Sequence, residues 1–274
     1  MSIAATWSEW VDHPGLVSFY TSHRHRPEDL YPSERRFLPW LAHRARSVLD
    51  VGCASGGFAE IWRHFNPELE YRGVDVSKPL IDAARRAHPE LEFVLADCAA
   101  GVPLASASSD VVQALGWLHW EPRYLNALAE LWRLTSRWLF FDVRLVEADV
   151  DLTGGEQRLT FTGVDDGVSA TPYICVSWAT FARAIRELGP DQVLAYGYWG
   201  RPAESVTGVD REVCFATFVL ERGDASRGAD PRGMIDVALE LPLSWPPGWS
   251  TGVRDLGDGW LARRIPAAHS EPAR

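Results

Sequence analysis

The stretch Asp50-Val51-Gly52-Cys53-Ala54-Ser55-Gly56-Gly57 joins an acidic residue at the end of an apolar run to a loop of small residues before a helix. Small residues let a ligand come close to the backbone, and amides at a helix start point toward it. A phosphate loop of the Gly-Lys-Ser/Thr type is excluded, because the one lysine of the chain, Lys78, lies elsewhere. Gly52, Ala54 and Gly57 occupy the three glycine positions of a dinucleotide fingerprint. The middle one, however, carries a methyl group where pyrophosphate must approach, and Asp50 adds negative charge at the mouth. That same carboxylate suits a ligand with a cationic ammonium group, which points to S-adenosylmethionine (SAM) rather than a nicotinamide dinucleotide.

The elements that must position this loop alternate. Strand-like runs cover Ser47–Val51, Tyr71–Val76, Glu92–Ala96, Asp110–Leu115 and Trp138–Val143, and helical patterns cover Phe58–Phe65, Pro79–Ala87 and Pro122 to about Leu134. A helix over Trp178–Leu188 and strands over Val193–Tyr198 and Glu212–Leu220 complete the series. Continuous apolar strands alternating with helices predict a Rossmann-like α/β fold, doubly wound around a mostly parallel sheet. Residues 46–222 form the core of this reading, with an insertion at 147–176 holding one hairpin. Residues 1–45 form an N-terminal helical cap, with a short helix after Ser33. Residues 223–274 form a C-terminal extension in which Met234–Leu241 and Trp260–Ile265 read as a strand pair before a frayed tail.

Composition narrows the function. Of 274 residues, 46% are hydrophobic and 23% charged, as expected of a globular protein. The net charge of −10 repels phosphate backbones, so the expected partner is a small molecule and not nucleic acid. No apolar run reaches the ~20 residues that span a bilayer, and the N-terminal residues do not read as a secretory signal. Cys53, Cys98, Cys175 and Cys214 are scattered singly, without zinc-ligand spacing. A cytoplasmic protein with reduced thiols and no metal is the expectation.

With its glycine loop and following acids, the chain resembles the class I SAM-dependent methyltransferases over roughly Tyr31 to Arg144, and more loosely to Glu221. Asp50, Gly52, Ala54 and Gly56 fit the first motif of that family with one Gly-to-Ala change. Asp75, 25 residues after Asp50 and followed by Val76, fits the second, whose carboxylate accepts both ribose hydroxyls. Asp97-Cys98 fits the third, where family members hold adenine, and Ala114 ends the fourth strand beside the cofactor. The alternative for these acids is a role as turn-formers and helix caps. The resemblance further implies seven strands, the last antiparallel beside the sixth.

The acceptor is approached by exclusion. The Lys-Asp-Lys-Glu set of ribose methylation, the Asn/Asp-Pro-Pro-aromatic set of amino-methylation on DNA, a Pro-Cys nucleophile and a metal-binding acid after strand four are all missing. Leu118-His119-Trp120 resembles the loop of small-molecule methyltransferases, including those that esterify trans-aconitate. His119 is the catalytic candidate: a neutral imidazole takes a proton from a hydroxyl or amine acceptor, or else it packs and caps the next helix. Asp142 and Arg144 either face the acceptor or form a surface ion pair. Tyr20, Tyr31 or Arg35 would meet the methionine end, and Trp117, Trp120, Trp199, Trp245 and Trp249 either wall the acceptor or pack the core. The sequence thus predicts methyl transfer to an oxygen or nitrogen of a small organic acceptor. The rivals are a protein or glycan methyltransferase, a nicotinamide-dependent oxidoreductase and a non-catalytic SAM-binding module.

Overall fold

The structure, a computed structural model, describes Val11 and residues 15–158, 170–223 and 236–243. Its strands are β1 (Ser47–Val51), β2 (Glu70–Asp75), β3 (Glu92–Leu95), β4 (Ser109–Ala114), β5 (Thr135–Val146), β6 (Leu152–Arg158), β7 (Ala170–Ser177), β8 (Gln192–Gly200), β9 (Val206–Thr207), β10 (Val213–Glu221) and β11 (Asp236–Glu240). Its helices are α1 (Leu16–Thr21), α2 (Pro32–Ala42), α3 (Gly57–Phe65), α4 (Lys78–Ala87), α5 (Tyr124–Leu134) and α6 (Trp178–Leu188), joined by short 3-10 turns at Pro27–Asp29, Cys98–Ala100 and Leu118–Trp120.

The main sheet runs β11-β8-β10-β5-β4-β1-β2-β3. Only β10 is antiparallel in that row, pairing with β5 on one side and β8 on the other; the resemblance implies the antiparallel place beside β8. Two features go beyond the predicted seven strands. β11 adds a parallel edge strand beside β8, and the hairpin β6–β7 with β9 continues the sheet past the end of β5. Of the expected run Met234–Leu241, Asp236–Glu240 has β8 as its partner, and Trp260–Ile265 lies outside the described residues, as do Trp245 and Trp249.

Alternation along the strands sends residues to two covered faces. Leu49, Val112, Leu139 and Phe141 pack with Leu128 and Leu131 of α5 and Phe181 and Ile185 of α6. Val48, Tyr71, Val111 and Phe140 pack on the other side with Phe37 and Leu41 of α2, Ile61 and Trp62 of α3 and Ile81 of α4. Local sequence sets the helix starts. Ser77 caps α4, its Oγ accepting from Leu80 N–H at 3.4 Å, and Gly56 opens α3 at a φ of +85°. Pro122 falls outside α5, which begins at Tyr124 because Glu121 Oε1 takes the Arg123 N–H at 2.7 Å and holds the preceding turn. Among the described residues no helix is long and apolar enough to cross a membrane.

Candidate functional site

The loop after β1 needs backbone that small residues tolerate. Gly52, Ala54 and Gly56 have φ of +81°, +47° and +85°, a region where a Cβ costs ~1–2 kcal/mol. The loop is tied to β2: Gly52 and Cys53 N–H donate to the Val74 carbonyl at 2.7 and 3.0 Å, and Ala54 N–H donates to Asp75 Oδ2 at 2.8 Å. Gly52 also faces a steric demand. A Cβ there would stand 2.4 Å from Trp117 Cδ1, since the Trp117 indole crosses the glycine and donates from Nε1 to the Val51 carbonyl at 2.7 Å.

The three acids meet different fates. Asp50 is 2% exposed; its Oδ1 accepts from Gln113 Nε2 at 2.8 Å and its Oδ2 from the Tyr71 hydroxyl at 2.6 Å. Gln113 in turn accepts from Trp62 Nε1 at 2.9 Å, so the carboxylate braces β1, β2, β4 and α3 from within. This corrects the sequence reading that placed its charge at the mouth of the site: two neutral donors inside the fold take both oxygens. Burial outweighs those bonds and raises its pKa to about 6.

Asp75 stays at the end of β2, beside the loop. Its oxygens accept from Ala54 N–H and Ser77 N–H, each at 2.8 Å, and the Val76 N–H bonds the same carboxylate. Burial pushes its pKa up to about 6 as well. Val76 is half-buried beside it, in a small apolar cluster with Leu16, Tyr20 and Leu80 that lays α1 across this end of the sheet. Asp97 Oδ1 accepts from Ala99 N–H at 2.9 Å and Oδ2 from Arg123 Nη2 at 2.9 Å, so it caps a turn and anchors a cation together. The Cys98 thiol is buried against α5 with its pKa pushed up, and Ala114 is fully buried in β4. Both side chains serve the core.

The N-terminal segment closes over the loop. Ser55 Oγ donates to the Tyr20 carbonyl at 2.8 Å, and a Cβ on Gly57 would lie 2.6 Å from the Arg24 carbonyl oxygen. Arg24 is ion-paired with buried Glu34, lies over the rings of Tyr31 and Phe58 at 4.7 Å each, and leaves Nε without a partner. Of the sequence candidates, Tyr20 and Tyr31 come to this side and Arg35 does not: its Nη2 donates to the Glu28 carbonyl at 2.5 Å on the surface. Arg24 was missed. Its own φ of +62° breaks the chain direction after α1, and nothing in the spacing signals that turn.

The loop after β4 carries the other half of the site. Asp142 Oδ1 accepts from Gly116 N–H at 2.5 Å and Oδ2 from Arg144 Nη1 at 2.6 Å. Arg144 also bonds the Tyr173 side chain and lies over Phe215 at 4.7 Å. The register of β5, β10 and β8 puts Arg144, Phe215 and Tyr198 in one row, with the two rings stacked 5.5 Å apart. His119 is 5% exposed, against Trp120 and Tyr173 at ring distances of 5.0 and 5.3 Å, and its Nδ1 has no partner. Burial, reinforced by Arg144, holds its pKa well below 6.5, which makes it a weak base. Tyr173 was also missed, because only the β6–β7 hairpin brings it to β5. Among the described residues no cluster of His, Cys, Asp and Glu is placed to hold a metal ion.

Residues 49–137 match the family model described as a methyltransferase domain. A malonyl-[acyl-carrier protein] O-methyltransferase of Enterobacter lignolyticus is 36% identical over 34% of this chain and 36% of its own length. A trans-aconitate 2-methyltransferase of Methylobacterium radiotolerans is 32% identical over 47% of this chain and 46% of its own. The chain thus spans less than half the length of these curated relatives. Among solved structures, the N-terminal domain of EvdMO1, in the presence of SAH and D-fucose, has a TM-score of 0.53 at 12% identity over 77% of this chain and 84% of that one. The [4+2]-cyclase SpnF has a TM-score of 0.50 at 16% identity over 81% of this chain and 97% of that one. The fold is the Rossmann-like fold these proteins share.

Proposed function

We propose that this protein transfers the methyl group of SAM to an oxygen or nitrogen of a small organic acceptor. A shared fold does not carry a reaction, as a neighbour named a cyclase makes plain, so the reading rests on the site. The observation that carries it is the succession of the β1 loop, Asp75 and Asp97 at the carboxyl ends of three adjacent parallel strands, where ligands bind in such sheets. The match over residues 49–137 supports it.

The residues fit the cofactor. The left-handed glycine loop leaves room for a ligand at the backbone, and the Asp75 carboxylate stands beside it to meet the ribose hydroxyls. Asp97 stands one strand further on for the adenine, and Arg24, with its unpartnered Nε, is a buried cation for the methionine carboxylate. When bound, SAM supplies a methyl group made electrophilic by its sulfonium. The chain's part is to hold the donor, exclude water with α1, and bring the acceptor in from the side of Gly116 and His119. Relatives named for trans-aconitate, together with the net charge of −10, favour a low-molecular-mass acceptor.

The test is conversion of SAM to S-adenosylhomocysteine by the purified protein in a small-molecule extract. Turnover that needs the low-mass fraction supports the proposal. Binding and turnover of NADH instead, or turnover only with a protein fraction, would replace it.

A further inference from the structure

At the carboxyl end of β5 a cation and an imidazole lie together, each with a buried nitrogen that the protein leaves unmatched: Arg144 Nε and His119 Nδ1. Buried polar atoms are rarely left so in a finished core. The negative member of the group, Asp142, accepts from Gly116 N–H on one oxygen and from Arg144 on the other. What stays open belongs to a guanidinium and an imidazole, groups that donate hydrogen bonds, and the Tyr173 side chain, bonded to Arg144, lies beside them. They sit beside the loop after β4, whose Trp117 indole covers Gly52, so the cluster adjoins the cofactor side of the site.

We propose that Arg144, His119 and Tyr173 bind a carboxylate of the acceptor and that an oxygen of this carboxylate is the atom methylated, giving a methyl ester. The proposal deepens the SAM-dependent reading above and rests on it. A carboxylate has two oxygens, so one is held by the cluster while the other stays available. A lone pair of that oxygen forms the new O–CH3 bond as the C–S bond breaks, and the electron pair of that bond remains on sulfur. The sulfonium becomes a neutral thioether and the carboxylate a neutral ester. No proton moves, because a carboxylic acid is already ionised at neutral pH. The chemistry therefore needs no base, which agrees with an imidazole buried among Trp120, Tyr173 and Arg144. Its role is to orient.

The test uses SAM tritiated in its methyl group with benzoate, cinnamate, succinate and trans-aconitate, and benzyl alcohol and benzylamine as controls. Mild alkali frees volatile tritiated methanol from a methyl ester but not from an ether or an N-methyl group. The expected result is alkali-labile label from at least one acid and none from the controls. Calorimetry of that acid with the S-adenosylhomocysteine-loaded protein gives its affinity, which Arg144→Gln should weaken about 10- to 100-fold while cofactor affinity holds. Since Arg144 also anchors Asp142, a second pair of variants checks the site. His119→Leu should raise KM for the acid far more than it lowers kcat, and His119→Asn, which keeps a polar atom near Nδ1, should recover most of the loss. Label only on the alcohol or amine, no label from any acid, or unchanged acid binding in Arg144→Gln and His119→Leu would overturn the proposal. Failure of the wild-type protein to bind S-adenosylhomocysteine would overturn the cofactor reading first.

Discussion

The indole of Trp117 lies against Gly52, its Cδ1 only 2.4 Å from where a glycine Cβ would stand, so the loops after β1 and β4 form one packed unit. The Nε1 bond to the Val51 carbonyl fixes the ring there. Any change at either residue is felt by the other.

Gly52→Ala should therefore destabilise the fold by about 1–3 kcal/mol, because it adds a clash to a φ of +81°. Adding Trp117→Ala should relieve the clash but not the backbone strain, so the double variant recovers only part of the loss. Denaturant unfolding of the three proteins checks this. A single variant as stable as the wild type would mean that the indole does not cover the glycine.

Asp75→Ala should weaken S-adenosylhomocysteine binding by about 2–3 kcal/mol, or some 30- to 150-fold, through lost bonds to the ribose hydroxyls. The loop also loses the tie between Asp75 Oδ2 and Ala54 N–H. Calorimetry reads the affinity, and an unchanged dissociation constant would remove Asp75 from the site.

Asp50 makes a prediction about stability and pH. Its folded pKa of about 6 lies above the ordinary 3.8, so the folded state holds this proton more tightly than the unfolded chain. The stabilisation is complete below about pH 4 and is lost as pH rises through 6. Asp50→Asn should remove its share of that slope, leaving the share of Asp75, which has the same sign. Unfolding free energies measured from pH 4 to pH 7 test it, and an identical slope in the variant would contradict the buried charge.

Burial and Arg144 keep His119 neutral well below its ordinary 6.5. The rate at saturating acceptor should thus stay level between pH 6 and pH 8. A fall on acidification centred near 6.5 would show an imidazole that titrates normally and takes part in proton transfer.

The alternation of strands and helices was legible because β1, β2 and β4 carry short clusters of apolar residues bounded by turn residues, and β1 matches its expected range, Ser47–Val51. The positions of Asp75 and Asp97 at strand ends followed from the same pattern. The direction in which Asp50 points did not, since Tyr71 and Gln113 lie 21 and 63 residues away on other strands. Arg144 was visible as a charge at the end of β5, but its meeting with Tyr173 depends on the hairpin crossing. Local pattern specifies elements, whereas partners across the sheet need the fold.

The central claim is that the loop after β1 with Asp75 and Asp97 is a SAM site. The most direct measurement is calorimetric titration of the purified protein with S-adenosylhomocysteine, repeated in the presence of NADH. Saturable binding at one site per chain, unaffected by millimolar NADH, is the predicted result. No heat of binding with S-adenosylhomocysteine, or displacement of it by NADH, would contradict the claim.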